Sequence, residues 1–409
     1  MDFDGQKARD FIEKINFPRR TGSKGNVKAF NIIEEDLEKL GYEVKYNEFE
    51  YVHSYLREVL AVKIGINLFF FLMVVLSISA GLLLTNPIER FVFLILSIIC
   101  ATVMLALTYF NFNLRYDKYL SEKFSQRLPK KEQYELPSAK NIIIEKKPKN
   151  KDIKNKHIIL GAHYDTISIS YHYLLNSIVY IISAVGTLFL GIYFIILDIF
   201  LFIVYPVGPI LNIFIINGIT LASIVSVAVV MWLATRLHNK SYGAVDNASG
   251  VSILMELARI LKDTELNYRL SLIFFGVEEE GLLGSIHYVK SNLEDLKEEE
   301  VMMISLDTLG TDDQLTYAEG HGYPKNEYSK ELIDKIRNAA DELGIDIKPQ
   351  WFPYPSSDHA AFVFQGFKAT QLFSRTMIAN TKQDTIDKIE VEQLEKIGNL
   401  VHKFLMNEN

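Results

Sequence analysis

Three consecutive glutamates, Glu278, Glu279 and Glu280, sit in FFGVEEEGLLGS directly after an apolar run that reads as a buried strand. Like charges crowded at a strand end repel, and a carboxylate in a poorly solvated crevice is relieved by a cation. The chain supplies further donors at comparable positions. His163 and Asp165 follow KHIILGA, Asp246 lies in GAVDNASG, and Asp307 follows MMISL. Each alone has an ordinary structural explanation, as a helix cap or a solvated strand exit. Gathered at one edge of a sheet, they would repel and desolvate one another, so together they predict a divalent metal site. Nitrogen and oxygen donors without cysteine point to zinc, with manganese or cobalt as alternatives.

The elements that must position these groups read as an α/β domain. Beyond Gly243 the pattern alternates: helix Ala248 to Leu261, strand Arg269 to Gly276, helix Leu282 to Leu293, strand Val301 to Leu306 and helix Glu327 to Leu343. Strands near Ile347 to Phe352 and Ala369 to Phe373 and a helix from Val391 to Phe404 complete it. Continuous apolar strands such as SLIFF and MMISL imply burial on both faces, which predicts a mostly parallel sheet flanked by helices. Ligands then belong at the carboxyl ends of the strands.

Interrupting this domain are four long apolar stretches, Ile64 to Leu84, Phe91 to Phe110, Leu174 to Ile196 and Ile210 to Leu233. Each matches the roughly 20 residues that a helix needs to cross a bilayer. The hydrophobic share of 49% and mean hydropathy of +0.11 agree with a membrane part. The sequence therefore predicts four transmembrane helices inserted as two hairpins. The domain organisation becomes 1–60 as the first part of the α/β domain, 61–110 as hairpin 1, 111–172 as linker and continuation, 173–234 as hairpin 2 and 235–409 as the remainder. Basic residues flank the polar side, which predicts a cytoplasmic α/β domain in an integral membrane protein with the lipid bilayer as a partner. The charged opening MDFDGQKARDF carries no cleavable signal peptide pattern. A lone cysteine, Cys100, excludes an intramolecular disulfide, and a net charge of −7 gives no reason to propose nucleic-acid binding.

GAHYDT, GAVDNASGV, FFGVEEEGLLGS, the SLD of Ser305 to Asp307 and the SSDHAAF of Ser356 to Phe362 resemble the successive motifs of the co-catalytic zinc aminopeptidase family. That family includes bacterial leucyl aminopeptidases, aminopeptidase Y and endoplasmic-reticulum metallopeptidases. The resemblance implies a peptidase that removes N-terminal residues from peptides. It implies that His163 and Asp307 ligate one zinc, that Asp246 bridges two metals and that Glu279 binds the second. Asp165 matches the carboxylate that orients the histidine, and Glu278 matches the general base. The peptide after Asp246 is expected to be cis. Glu280, His359 and Tyr354 are candidate substrate contacts.

One motif departs from the pattern. Where the family has H-T-x-x-D-T, this chain has NTKQDT, with Asn380 in place of the histidine and Asp384 and Thr385 retained. Three readings follow: Asn380 coordinates weakly and the second metal is loose, His359 reaches in instead, or hydrolysis has been lost. His172, His238, His287, His321 and His402 have no acidic partners at useful spacing. The sequence thus supports a membrane zinc metallopeptidase with a peptide substrate, or alternatively a non-catalytic membrane binding or assembly protein that retains the fold. Oligomeric state is not legible from it.

Overall fold

The computed structural model describes residues 2–51, 65, 68–69, 71–76, 83, 86–112, 138–149, 156–169, 173–203, 209–233, 237–322, 325–352 and 357–409. They fall into two compact units. One comprises Met1–Tyr55, Pro129–Tyr173 and Leu237–Asn409, the other Leu56–Leu128 and Leu174–Arg236.

In the first unit the strands are β1 (Lys45–Glu50), β2 (Ser138–Lys146), β3 (Lys156–His163), β4 (Ser168–Ile169), β5 (Leu237–His238) and β6 (Arg269–Phe275). They continue as β7 (Glu300–Leu306), β8 (Leu315–His321), β9 (Asn326–Glu327), β10 (Lys348–Phe352) and β11 (Lys368–Ser374). The main sheet runs β1-β2-β6-β3-β7-β11-β8-β10, with β9 on β8, while β4 and β5 form a small ribbon. Its centre, β6-β3-β7-β11, is parallel. Outside it, β1 with β2, β2 with β6 and β8 with β11 are antiparallel, while the edge strand β10 runs parallel to β8. The mostly parallel sheet expected from the sequence is therefore corrected to a mixed one. The physical reason lies in the connections. A strand reached without a crossover helix runs back antiparallel, and β8 follows β7 through the loop 307–314 alone.

The central strands are apolar throughout because they are covered on both faces. Ile158, Leu160 and Ala162 of β3 join Leu270, Leu272 and Phe274 of β6 in one core, while Ile159, Ile273 and Phe275 point into another. The first face is packed by helices Gly5–Ile15, Ser249–Leu261 and Val391–Asn407, the second by Leu283–Ser291 and His359–Val363. Local chemistry starts several of these helices. Asp4 accepts from Gln6 N and Lys7 N, Ser23 from Asn26 N ahead of Lys24–Lys39, and Ser329 from Leu332 N ahead of Lys330–Glu342.

The second unit contains helices Pro87–Phe112, Tyr173–Ile203 and Pro209–Leu233. Phe71, Val74, Cys100, Ala101, Leu190, Phe194, Leu197, Ala222, Val225 and Val229 form its core. Phe71 and Phe194 rings lie 5.7 Å apart. The expectation of four transmembrane helices in two hairpins is corrected here, since among the described residues no helix is long and apolar enough to cross a membrane. Most of the expected span over 77–84, and parts of 64–70, lie outside the described residues. The apolar composition that suggested lipid is equally what helices carry to bury faces against one another. The integral membrane placement, the bilayer partner and the cytoplasmic side inferred from flanking charges rested on those spans and are withdrawn with them.

Candidate metal centre at the carboxyl ends of the strands

His163 is the last residue of β3, in register with Phe275 at the end of β6. Glu278 and Glu279 follow shortly after β6, and Asp307 directly follows β7. Strand register alone thus places an imidazole beside three carboxylates. Val277, a β-branched residue held at φ +60°, aims the turn that carries the glutamates. Such a conformation costs on the order of 1–3 kcal/mol and persists only where packing over-determines it; Val277 is buried against Phe49 and Tyr51.

Asp246 comes from the loop before helix Ser249–Leu261. Gly243 opens that loop at φ +63°, where a Cβ would stand 2.1 Å from Thr166 Cγ2, so no side chain fits. The Asp246–Asn247 peptide is cis. Asn247 Nδ2 donates to Leu306 O at 2.8 Å and its Oδ1 accepts from Gly250 N at 3.0 Å, which ties the loop to the end of β7. On its other side the Asp384 carboxylate accepts from Val245 N at 2.6 Å and Asp246 N at 3.1 Å.

These elements bring His163 Nε2 to 3.2 Å from Asp246 Oδ1, 3.4 Å from Asp307 Oδ1 and 3.8 Å from Glu278 Oε2. The other ring nitrogen, Nδ1, faces Asp165, 3.2 Å from its main-chain oxygen and 3.7 Å from Oδ1. The buried Asp165 carboxylate also accepts from Thr21 Oγ1 at 2.8 Å, Glu278 N at 3.1 Å and Glu279 N at 3.2 Å. One side chain therefore orients both the histidine and the glutamate turn.

The electrostatics record an unbalanced negative charge. Burial pushes the Glu278 and Glu279 carboxyls well above the usual range, and neighbouring carboxylates add to it. Asp246 is raised too, again chiefly by burial. For Asp165 and Asp307 burial is outweighed by His163 and by hydrogen bonds, so both lie below their ordinary value. Burial would depress His163, yet Glu278, Asp165, Asp246 and Asp307 hold it well above an ordinary imidazole. Without a cation the cluster must take up protons to stay together. A divalent ion competes for that same charge.

Two sets of ligand atoms lie within 4.8 Å of one another, His163 with Asp246 and Asp307, and His163 with Glu278 and Glu279. An imidazole and carboxylates without thiolate suit zinc, so the donors fit such an ion.

The remaining predicted residues are placed as follows. Glu280 is buried against Arg20, whose guanidinium donates to its Oε1 at 2.9 and 3.2 Å. His359 is buried with Nε2 3.1 Å from the Tyr328 hydroxyl, and burial lowers its pKa to about 3; it belongs to neither set of ligand atoms. Asn380 stands beside Glu279 at φ +59°. Tyr354 and His172 lie outside the described residues. Elsewhere His287 stacks on Phe49, and His321 lies against Tyr328.

Arg19 was not anticipated at the site, and Asp358 and Asp384 were legible only as motif residues. Arg19 is fully buried and donates to Ile15 O (3.0 Å), Tyr164 O (2.8 Å), Tyr242 O (2.6 Å) and Gly243 O (2.6 Å). Burial lowers its pKa to about 10, so it stays cationic at neutral pH beneath the carboxylates. Burial raises Asp358 and Asp384 to about 7. The available signal was the run Arg19-Arg20-Thr21, three polar residues just ahead of the Ser23 cap, of which Arg19 and Thr21 touch the loop after β3 and Arg20 the glutamate turn.

A mixed α/β sheet with a histidine–carboxylate cluster at its strand ends defines a fold whose site has the donors to hold a divalent metal. BSAP, a zinc aminopeptidase from Bacillus subtilis, shares the fold with a TM-score of 0.56 at 17% identity, over 99% of this chain and 95% of that one. A Bacteroides thetaiotaomicron glutaminyl cyclase shares it with a TM-score of 0.55 at 16% identity, over 100% and 99%. Residues 226–405 match Peptidase family M28. Aminopeptidase YwaD of Bacillus subtilis (strain 168) is 34% identical over 169 residues, covering 39% of this chain and 36% of YwaD. The chain spans about a third or less of the length of the curated relatives it matches.

Proposed function

We propose that this chain is a zinc-dependent metallopeptidase of the aminopeptidase type, acting on peptides with Glu278 as general base. The observation that carries the reading is the position of Glu278 Oε2, 3.8 Å from the His163 Nε2 that also faces Asp246 and Asp307. The match to Peptidase family M28 and the likeness to YwaD support it.

His163, Asp246 and Asp307 would hold zinc, with Asp165 keeping the imidazole turned towards it. When bound, zinc supplies Lewis-acid polarisation of a carbonyl and lowers the pKa of a water. Glu278 Oε2 takes the proton of the attacking water as the water oxygen bonds to the peptide carbon. The same oxygen then delivers that proton to the departing amine nitrogen as the carbon–nitrogen bond breaks. Its raised pKa suits both halves of this transfer near neutral pH. Glu280, neutralised by Arg20, shapes the wall of the site.

The test is zinc content of the full chain together with turnover of peptides whose N-terminus is free or acetylated. Zinc-dependent release of the first residue from free peptides alone is the expected result. Bound zinc with no peptide turnover favours the binding or assembly reading. Ammonia from peptides that begin with glutamine, without amino-acid release, would place the chain with the cyclase that shares its fold.

A further inference from the structure

We infer that this centre takes one divalent ion per chain, seated on His163, Asp246 and Asp307, and that Asn380 closes the half of the site at Glu279 to a second ion. The inference rests on the metallopeptidase reading and concerns how many ions that site holds. The two sets of ligand atoms overlap in His163. With Nδ1 turned to Asp165, only Nε2 faces the cluster, and one imidazole lone pair serves one ion. Nε2 lies closer to Asp246 and Asp307, at 3.2 and 3.4 Å, than to Glu278, at 3.8 Å.

A second ion would therefore depend on carboxylates alone, and Asn380 has already engaged one of them. The end of its amide that faces the cluster meets two acceptors, Glu279 Oε1 at 2.8 Å and Ile167 O at 3.3 Å. Two acceptors demand the NH2 group, and an amide nitrogen offers a metal no lone pair. Asn380 thus acts as a hydrogen-bond donor that fixes Glu279, in the place where a second ion would need a ligand. Its backbone holds the amide there: φ is +59°, a left-handed conformation that asparagine tolerates better than most residues, and its carbonyl accepts from Ile169 N at 3.2 Å.

The experiment counts zinc in the full-length protein by elemental analysis after equilibration with excess zinc and desalting, with calorimetric titration as a second measure. The parent should hold one zinc per chain, and Glu279→Gln should still hold one. Asn380→His, which supplies an imidazole and is among the replacements best suited to a left-handed φ, should hold two. Two zinc ions in the parent, reduced to one by Glu279→Gln, would overturn the inference and leave the metallopeptidase reading intact. A count that stays at one in Asn380→His overturns the role given to Asn380. No bound zinc in the parent overturns both the inference and the reading beneath it.

Discussion

Among the residues at the centre, Glu278 and Asp165 divide two tasks that their neighbours dictate. The Asp165 carboxylate accepts three hydrogen bonds, its main-chain oxygen faces His163 Nδ1, and the carboxyl stays below its ordinary range, so it is a fixed anion that orients others. Glu278 is buried with no such set of donors and is pushed up by burial, which makes it the side chain able to exchange a proton. Removing a general base costs about 10²–10⁴ in rate. Glu278→Gln should therefore lower kcat by that range while zinc content, set by His163, Asp246 and Asp307, is unchanged. Steady-state turnover measured beside elemental analysis checks this; zinc lost in step with activity would make Glu278 a ligand and defeat the assignment. The crowding of buried carboxylates was partly legible in the sequence, because a strand end bearing three glutamates cannot leave all of them solvated. What the sequence did not disclose is the fate of Glu280, since nothing in EEEG announces that Arg20, 260 positions earlier, neutralises it.

For the elements, strand ends could be read and the connections between them could not. The apolar runs of β3, β6 and β7 end where their ligands begin, so the sheet edge bearing His163, Glu278 and Asp307 followed from burial on both faces. β8 escaped because LTYAEGH mixes apolar residues with a glycine at φ +159° and follows a polar loop instead of a helix. The loops that carry Asp246 and the glutamates are positioned by the turn that holds Arg19 and Thr21, and long-range hydrogen bonding of this kind has no local signature. Arg19 donates to five main-chain carbonyls on three segments, at Ile15 and Phe17, at Tyr164 and at the Tyr242–Gly243 pair. A lysine brings three donors from one point and cannot span them. Each buried carbonyl left without a donor costs about 1–3 kcal/mol. Arg19→Lys should lower the denaturant midpoint and, because the turn before Asp246 loosens, weaken zinc binding by roughly 10–100-fold. Competition with a chromophoric chelator measures the second effect, and a variant that lost stability but bound zinc as the parent does would confine Arg19 to a packing role.

At the scale of the whole molecule, the first unit assembles its sheet from three separated pieces of chain, Met1–Tyr55, Pro129–Tyr173 and Leu237–Asn409, and each piece delivers part of the centre. Arg19 and Thr21 come from the first, His163 and Asp165 from the second, and Asp246, Glu278, Asp307, Asn380 and Asp384 from the third. This dispersal explains why composition misled while motif spacing pointed to side chains that the fold brings together. Motif spacing reports on strand ends wherever they fall in the chain, whereas apolar content reports burial without saying in what, and so Leu174 to Ile196 and its counterparts were read as crossing a membrane. It also ties metal binding to global stability. Buried anions gathered from three pieces repel in the folded state and separate freely in the unfolded chain, so an ion that binds only the folded arrangement stabilises the whole unit. At free zinc of 100 times its dissociation constant that linkage amounts to about 2.7 kcal/mol. Stripping zinc with a strong chelator should lower the thermal midpoint by several degrees, and restoring it should bring the midpoint back. His163→Ala, which deletes the shared imidazole, should melt at the same temperature with and without zinc. If chelation leaves the parent's midpoint unmoved, the carboxylates are balanced by protons alone and the cluster is no metal centre.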